Sequence, residues 1–315
     1  AQNYKPEGAV PGKAGKIPLS ICTCVGFTYK IPEEGITIRG GIGLFSGRIP
    51  MVWPGGIYNN NGISSGSYTL NTSTNTAIWN QDKIRFRTTP YSPTEVGVSV
   101  NNVKGQLNLM SETFKATKVM RSSLAIDKNM GSGWTLTFEG MYTKNINDIY
   151  YQNVNLLPPT LKSTGPDSRN VYGTLTSASN TIPIRSNGTN PYSSGVYLIT
   201  NAKGDKGYSF NLSVVVNKSS RTGFNLYASY NYGSSTVLNE SQSSTSNSQW
   251  GSQEAINGRN YITRSISDND PGHRIFALVS KKFTYAGGKL ATTVGLTYTG
   301  QSGAPYSFVY NGQAI

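Results

Sequence analysis

The residues with chemical reach are few and widely spaced. His273 is the single histidine of the chain and stands in Asp270-Pro271-Gly272-His273-Arg274. One imidazole cannot by itself supply a typical zinc site, so His273 reads as marking a strand start at a loop-side rim. Cys22 and Cys24, in Cys-Thr-Cys, stand too close for an ordinary disulfide and lack partner ligands for a metal. Asp268 and Asp270 with Asn269 offer oxygens to calcium, but not a full coordination shell. Glu33 and Glu34 are neighbours in one turn and do not form a pair facing a common substrate. Gly40-Gly41-Ile42-Gly43 lacks a strand-to-helix context, so strand glycines that permit a bend or close packing explain it better than a phosphate loop. These readings predict no enzyme, no catalytic residue, no metal and no cofactor.

Aromatic side chains are a stronger signal. Trp53, Tyr58, Trp79, Tyr91, Tyr151, Tyr192, Trp250 and Tyr261 lie in long polar stretches. Rings set among Asn, Ser and Gly suit capture of a peptide, protein or carbohydrate, because a rigid ring adds contact area at low entropic cost. The same rings could instead pack the loops against one another. Arg39, Arg121 and Glu139 fall on the polar faces of their strands. There they would line a lumen, with a substrate path as the more specific role.

The elements that carry these residues are strands. From Gly207 to Tyr232, Tyr208, Phe210, Leu212, Val214 and Val216 alternate with mostly polar residues, as do Phe224, Leu226, Ala228, Tyr230 and Tyr232. Side chains on a strand point to opposite faces with period two, so each strand has one apolar face. Its length suits a tilted strand crossing a bilayer, about 9–11 residues, with aromatics at the ends of the apolar face. Further strands are predicted over 25–31, 36–48, 119–127 and 134–146, with a last hairpin over 274–299 and a ninth strand beginning near Ala304. Tight turns alternate with long connections at about 49–117, 147–205 and 234–272, the pattern of an up-and-down membrane barrel. A β-sandwich would show evenly spaced turn signals instead.

Composition agrees. Charged residues are 14% of the chain, low against about 25% for soluble domains. The net charge of +13 comes from scattered Lys and Arg without a basic run or a nucleic-acid motif. It reads as a basic loop-and-lumen surface, facing lipid and anionic lipopolysaccharide, and no nucleic-acid partner is expected. No apolar run reaches the length of a helical membrane span. The opening residues lack the apolar core of a signal peptide, which predicts a removed leader or an internal piece of a longer protein. Residues 1–24 read as a linker or periplasmic loop, and 25–315 as a partial barrel.

Three blocks carry a family likeness. GFTYKIPEEGITIRGGIGLFSGRIPMVW (26–53), FKATKVMRSSLAIDKNMGSGWTLTFEGMYTKNINDIYYQNVNL (114–156) and KGYSFNLSVVV, followed in order by Gln249-Trp250, DNDPGHRI and TGQSGAPYSFVYNG, resemble the barrel of TonB-dependent receptors of the Oar-like type. The resemblance implies an all-β, antiparallel up-and-down transmembrane barrel segment of eight or nine strands in the outer membrane, with short periplasmic turns and long extracellular loops. It also implies ligand capture at the loops, passage through a plugged barrel, and energy from the TonB complex acting on a plug region absent from this chain. Residues 20–24 depart from the family's usual lead into Gly-Phe. Two alternatives stay open: a passive porin or surface adhesin barrel, and a secreted all-β carbohydrate-binding module with its apolar faces buried between two sheets.

Overall fold

The computed structural model describes residues 6–14, 21–61, 88–89, 92, 94–95, 106–156, 158–159, 161–162, 168, 170–171, 195–252, 255 and 257–306. In chain order its strands are β1 (Cys24–Ile31), β2 (Ile36–Ser46), β3 (Leu107–Met110), β4 (Lys118–Gly131), β5 (Trp134–Asn147), β6 (Ile149–Asn153), β7 (Leu161–Lys162) and β8 (Asn170–Val171). There follow β9 (Val196–Asn201), β10 (Tyr208–Ser219), β11 (Phe224–Val237), β12 (Ser265–Ile266), β13 (Gly272–Tyr285) and β14 (Leu290–Gln301). Two short helices, α1 (Val52–Asn59) and α2 (Ser246–Gly251), lie in long connections.

The main sheet runs β1-β2-β4-β5-β10-β11-β13-β14, with β12 adding a short rung on β11. Every neighbour pair along that path is antiparallel. Sequential strands therefore lie side by side, up and down. The tight turns at 32–35, 132–133, 220–223 and 286–289 all fall at one end, and the long connections at the other. The turn between β4 and β5 depends on Gly133, which has φ of +80°, and a Cβ there would sit 2.0 Å from the Ser219 carbonyl oxygen. In the Gly40 region the close-packing reading holds: a Cβ on Gly40 would come 2.8 Å from the Ser123 carbonyl oxygen and 3.0 Å from the Phe27 ring.

Register gives the main sheet one continuous apolar face that runs across all eight strands. Phe27 stands opposite Gly40, which stands opposite Leu124; Phe138 faces Ile126 on one side and Val214 on the other; Val214 faces Tyr230, and Tyr230 faces Ile275. This face is uncovered. Val25, Phe27, Leu124, Phe138, Leu212, Val294 and Leu296 all lie on it with half or nearly half of their surface exposed, and Val25 and Leu296 reach 74%. β4 and β11 run longer than expected, to Gly131 and Val237, while β2 stops at Ser46. Residues 302–306 carry no strand, and the rest of the expected ninth strand lies outside the described residues.

Above the long-connection end sits a second, three-stranded sheet that the alternation does not predict. β9 is its centre, parallel to β3 and antiparallel to β6. Both faces of β9 are buried, because Tyr197 and Ile199 enter one apolar cluster while Val196 and Leu198 enter another. Each such residue contributes about 1.5–3 kcal/mol by leaving water. The expectation of a linker or periplasmic loop for residues 1–24 meets a different placement for residues 6–14. They pack on this cap, away from the tight turns. Ala9 is buried in the second cluster, and the Glu7 carboxylate accepts hydrogen bonds from Thr200 Oγ1 (2.6 Å) and Lys203 Nζ (2.9 Å).

Candidate functional site

Two regions hold the candidate residues: the polar face of the main sheet and the cap. On the polar face, register brings Arg39, Ala125 and Glu139 into one cross-strand row. The Arg39 guanidinium donates from Nε to Asp127 Oδ2 at 2.9 Å and from a terminal nitrogen to Glu139 Oε2 at 3.2 Å. Thr137 Oγ1 donates to the other Asp127 oxygen at 2.8 Å. One cation thus ties three strands, β2, β4 and β5. Arg121 stands apart from that cluster and donates from Nε to Thr143 Oγ1 at 3.1 Å. Asp127 and Thr137 were not singled out from sequence. The signal was available, since both share a face with Arg39 once the strands are aligned through the turn at 132–133.

In the cap, the expected ligand-contact rings divide. Trp53 and Tyr151 meet edge to face at 6.1 Å, and Trp250 lies 5.7 Å from the Tyr197 ring. Trp53, Tyr151 and Trp250 are 7%, 0% and 5% exposed. They form a hydrophobic core with Ile57, Met110, Phe114, Leu156 and Ile199. Of the two readings of these three rings, ligand contact or packing of the loops, the structure places them in packing: Trp53 and Tyr151 against each other, and Trp250 against Tyr197. Tyr58 and Tyr261 remain exposed, at 57% and 44%. Trp79, Tyr91 and Tyr192 lie outside the described residues, as does Gly62-Ile63-Ser64-Ser65-Gly66, whose spacing a nucleophile elbow could use.

Asn260 is the polar pin of this core. Its side-chain oxygen accepts from Trp250 Nε1 (2.7 Å) and from the Asn153 backbone N–H (2.9 Å), and its amide donates to the Asn153 carbonyl (2.8 Å). Its own carbonyl accepts from the Tyr150 hydroxyl. By contrast, among the described residues the Tyr151 hydroxyl and Trp53 Nε1 are buried without a hydrogen-bond partner. Burial pushes the Tyr151 phenol well above its ordinary value.

Beside the core a cavity of about 420 Å³ is lined by Glu7, Tyr150, Gln152, Lys203, Arg264 and their neighbours. Burial alone would push the Glu7 carboxyl up. Hydrogen bonds from Thr200, Lys203 and Ser111, with the Lys203 charge, outweigh it and hold the group below its ordinary value. Asp148, where the cap meets the sheet, is pushed up by burial against the opposing Gly207 N–H, the Asn145 amide and the Lys206 charge.

The remaining polar candidates are engaged in structure. His273 Nδ1 lies 2.7 Å from the Tyr230 hydroxyl, and its ring packs on Tyr230 and Tyr232. Asp270 accepts from the Ser235 N–H, and Asp268 from the Gln242 amide. Cys22 and Cys24 are free and exposed. Among the described residues no group of three or more His, Cys, Asp and Glu could hold a metal ion.

The uncovered apolar face needs a solvent. From Tyr208 to Lys218 on β10 the strand rises about 33 Å at ~3.3 Å per residue, which at a tilt near 40° is about 25 Å of height, that of a membrane barrel's apolar band. The comparison with known proteins agrees: a family model described as an outer membrane beta barrel domain matches residues 25–314. The chain belongs to this family. Neither a curated protein nor a solved structure matches the chain. As an outer membrane beta barrel domain the chain resides in the outer membrane with its apolar face on lipid. The secreted-module alternative fails here, because the family is one of outer-membrane barrels.

Proposed function

We propose that this barrel segment belongs to a TonB-dependent receptor of the Oar-like type. Such a receptor captures a ligand at its extracellular loops and passes it through a plugged barrel with TonB-coupled energy. It is a capture and transport device, not an enzyme. The observation that carries the reading is the open sheet: β1 and β14 are its two edges and do not pair with each other. Hydrocarbon tolerates no row of unpaired backbone groups, and two open edges fit a segment of a larger barrel, such as that of receptors with about 22 strands. The resemblance of the blocks at 26–53 and 114–156 supports the same reading. By the rule for such barrels the tight turns face the periplasm and the cap faces outward, towards lipopolysaccharide. Arg39, Asp127 and Glu139 would then line the lumen, where a plug would meet them, and Tyr58 and Tyr261 would be open to a peptide, protein or carbohydrate.

Planar-bilayer recording of the full-length protein purified from outer membranes tests this. A plugged receptor gives no steady open channel until about 4 M urea loosens the plug, a concentration chosen for typical domain stabilities. A steady conductance without denaturant would overturn the reading in favour of a passive porin. Binding of the isolated periplasmic domain of TonB to the same preparation is expected, and its absence would point to an adhesin barrel.

A further inference from the structure

At the tight-turn end, three seams of the sheet repeat one arrangement. Ile36, Trp134 and Phe224 are the first residues of β2, β5 and β11. Opposite each, on the next strand along the sheet, stands a lysine: Lys128, Lys218 and Lys281. All six residues belong to the apolar face by register. Each lysine also reaches the tight turn of the preceding hairpin. Lys128 Nζ donates to the Glu34 carbonyl at 2.6 Å, Lys218 Nζ to the Ser132 carbonyl, and Lys281 Nζ to the Thr222 carbonyl at 2.8 Å. The Lys218 ammonium also lies 5.0 Å from the centre of the Trp134 ring.

Chemistry turns this repeat into a site. A lysine stem lies along apolar surface while its ammonium reaches the polar boundary. The ammonium has three donors, and the turn carbonyl takes one. Lys128 has a carboxylate at 3.8 Å, from Glu34. Among the described residues Lys218 and Lys281 form no salt bridge with a carboxylate. The row therefore presents fixed positive charge with unused donors at one level, next to a continuous apolar face. The complementary partner is an amphiphile with an anionic oxygen group at the same level.

We infer that Lys128, Lys218 and Lys281 form a row of phosphate sites for glycerophospholipid headgroups of the leaflet on the tight-turn side. Each headgroup phosphate would bridge one ammonium while its acyl chains cover the apolar face above. This sets the depth of the barrel in the membrane. It rests on the outer-membrane barrel, not on coupling to TonB.

Native mass spectrometry of the full-length protein tests it, with dioleoyl phosphatidylglycerol titrated into detergent micelles and dioleoylglycerol, which lacks phosphate, as the control. Wild type is expected to retain phosphatidylglycerol and not dioleoylglycerol. Retention should weaken about fivefold for each of Lys128→Gln, Lys218→Gln and Lys281→Gln, the ratio expected for one lysine at an anionic surface. The matching Lys→Arg variants should retain the lipid. Lys144→Gln, at the opposite rim, should leave retention unchanged. Equal retention of the two lipids by wild type would overturn the inference, even if every Gln variant failed to fold. So would a loss in the Arg variants as large as in the Gln variants, since the lysines would then only cap turns.

Discussion

Leu198 in the cap is 1% exposed and Leu296 in the main sheet is 74% exposed, although both sit in regular strands. Tyr151 and Tyr29 differ in the same way, at 0% and 62%. In the cap, apolar side chains face one another because the medium around them is water. In the main sheet they face outward because the medium is hydrocarbon, and the backbone ladder is satisfied strand to strand. Two regions of one chain thus use the same residue types with opposite burial, and the difference identifies the solvent of each. It also assigns the rings: aromatic residues of the cap core hold the cap together, while those on the apolar face of the sheet meet lipid.

The comparison can be broken at several points. Trp250→Ala should damage the cap most, costing about 3–5 kcal/mol as a large core ring is lost. Limited proteolysis on intact cells should then cut the cap loops, while heat-modifiability of the barrel on gels stays as in wild type. Val214→Arg should do the reverse. A cation at mid-band on the lipid face costs about 2–4 kcal/mol, read as a lower urea midpoint for barrel unfolding with cap protection unchanged. Tyr151→Phe removes a buried hydroxyl that has no partner among the described residues, and should raise cap stability by about 1 kcal/mol.

The smallest effect expected is a pH dependence at Glu7. Its carboxyl lies below its ordinary value when docked, so the unfolded or undocked state binds the proton more readily. The stabilisation is present above the ordinary carboxylate range and is lost as pH falls through the lowered value of the docked group. Hydrogen exchange at Ala9 should accelerate across that window, and Glu7→Gln should remove the pH dependence.

What could be read from the sequence follows the same division. β2, β5, β10 and β11 were legible, because a strand with one face in lipid and the other in a polar lumen alternates strictly. β3 and β9 were not: Leu107–Met110 is buried throughout, and Val196–Ile199 is buried on both faces, so no period of two remains. Their parallel pairing also joins segments far apart in the chain, which no local pattern reports. The rings at Trp53, Tyr151 and Trp250 were visible as loop aromatics. Their fate depended on that unseen sheet. The Arg39–Asp127–Glu139 cluster was partly legible, since parity places all three on one face, but register through a turn was needed to bring them together.

The most direct test of the opposite-burial account is a labelling scan along β10 in the full-length protein, in native outer membranes with Cys22→Ser and Cys24→Ser. Single cysteines replacing residues 209–217 in turn would carry a nitroxide, and collision with oxygen and with a water-soluble nickel chelate would be measured. The account predicts high oxygen accessibility at positions 210, 212, 214 and 216, and low values between them. Trp250 replaced in the same background should be shielded from both probes. A flat profile along β10, or nickel access at 212 and 214, would contradict it.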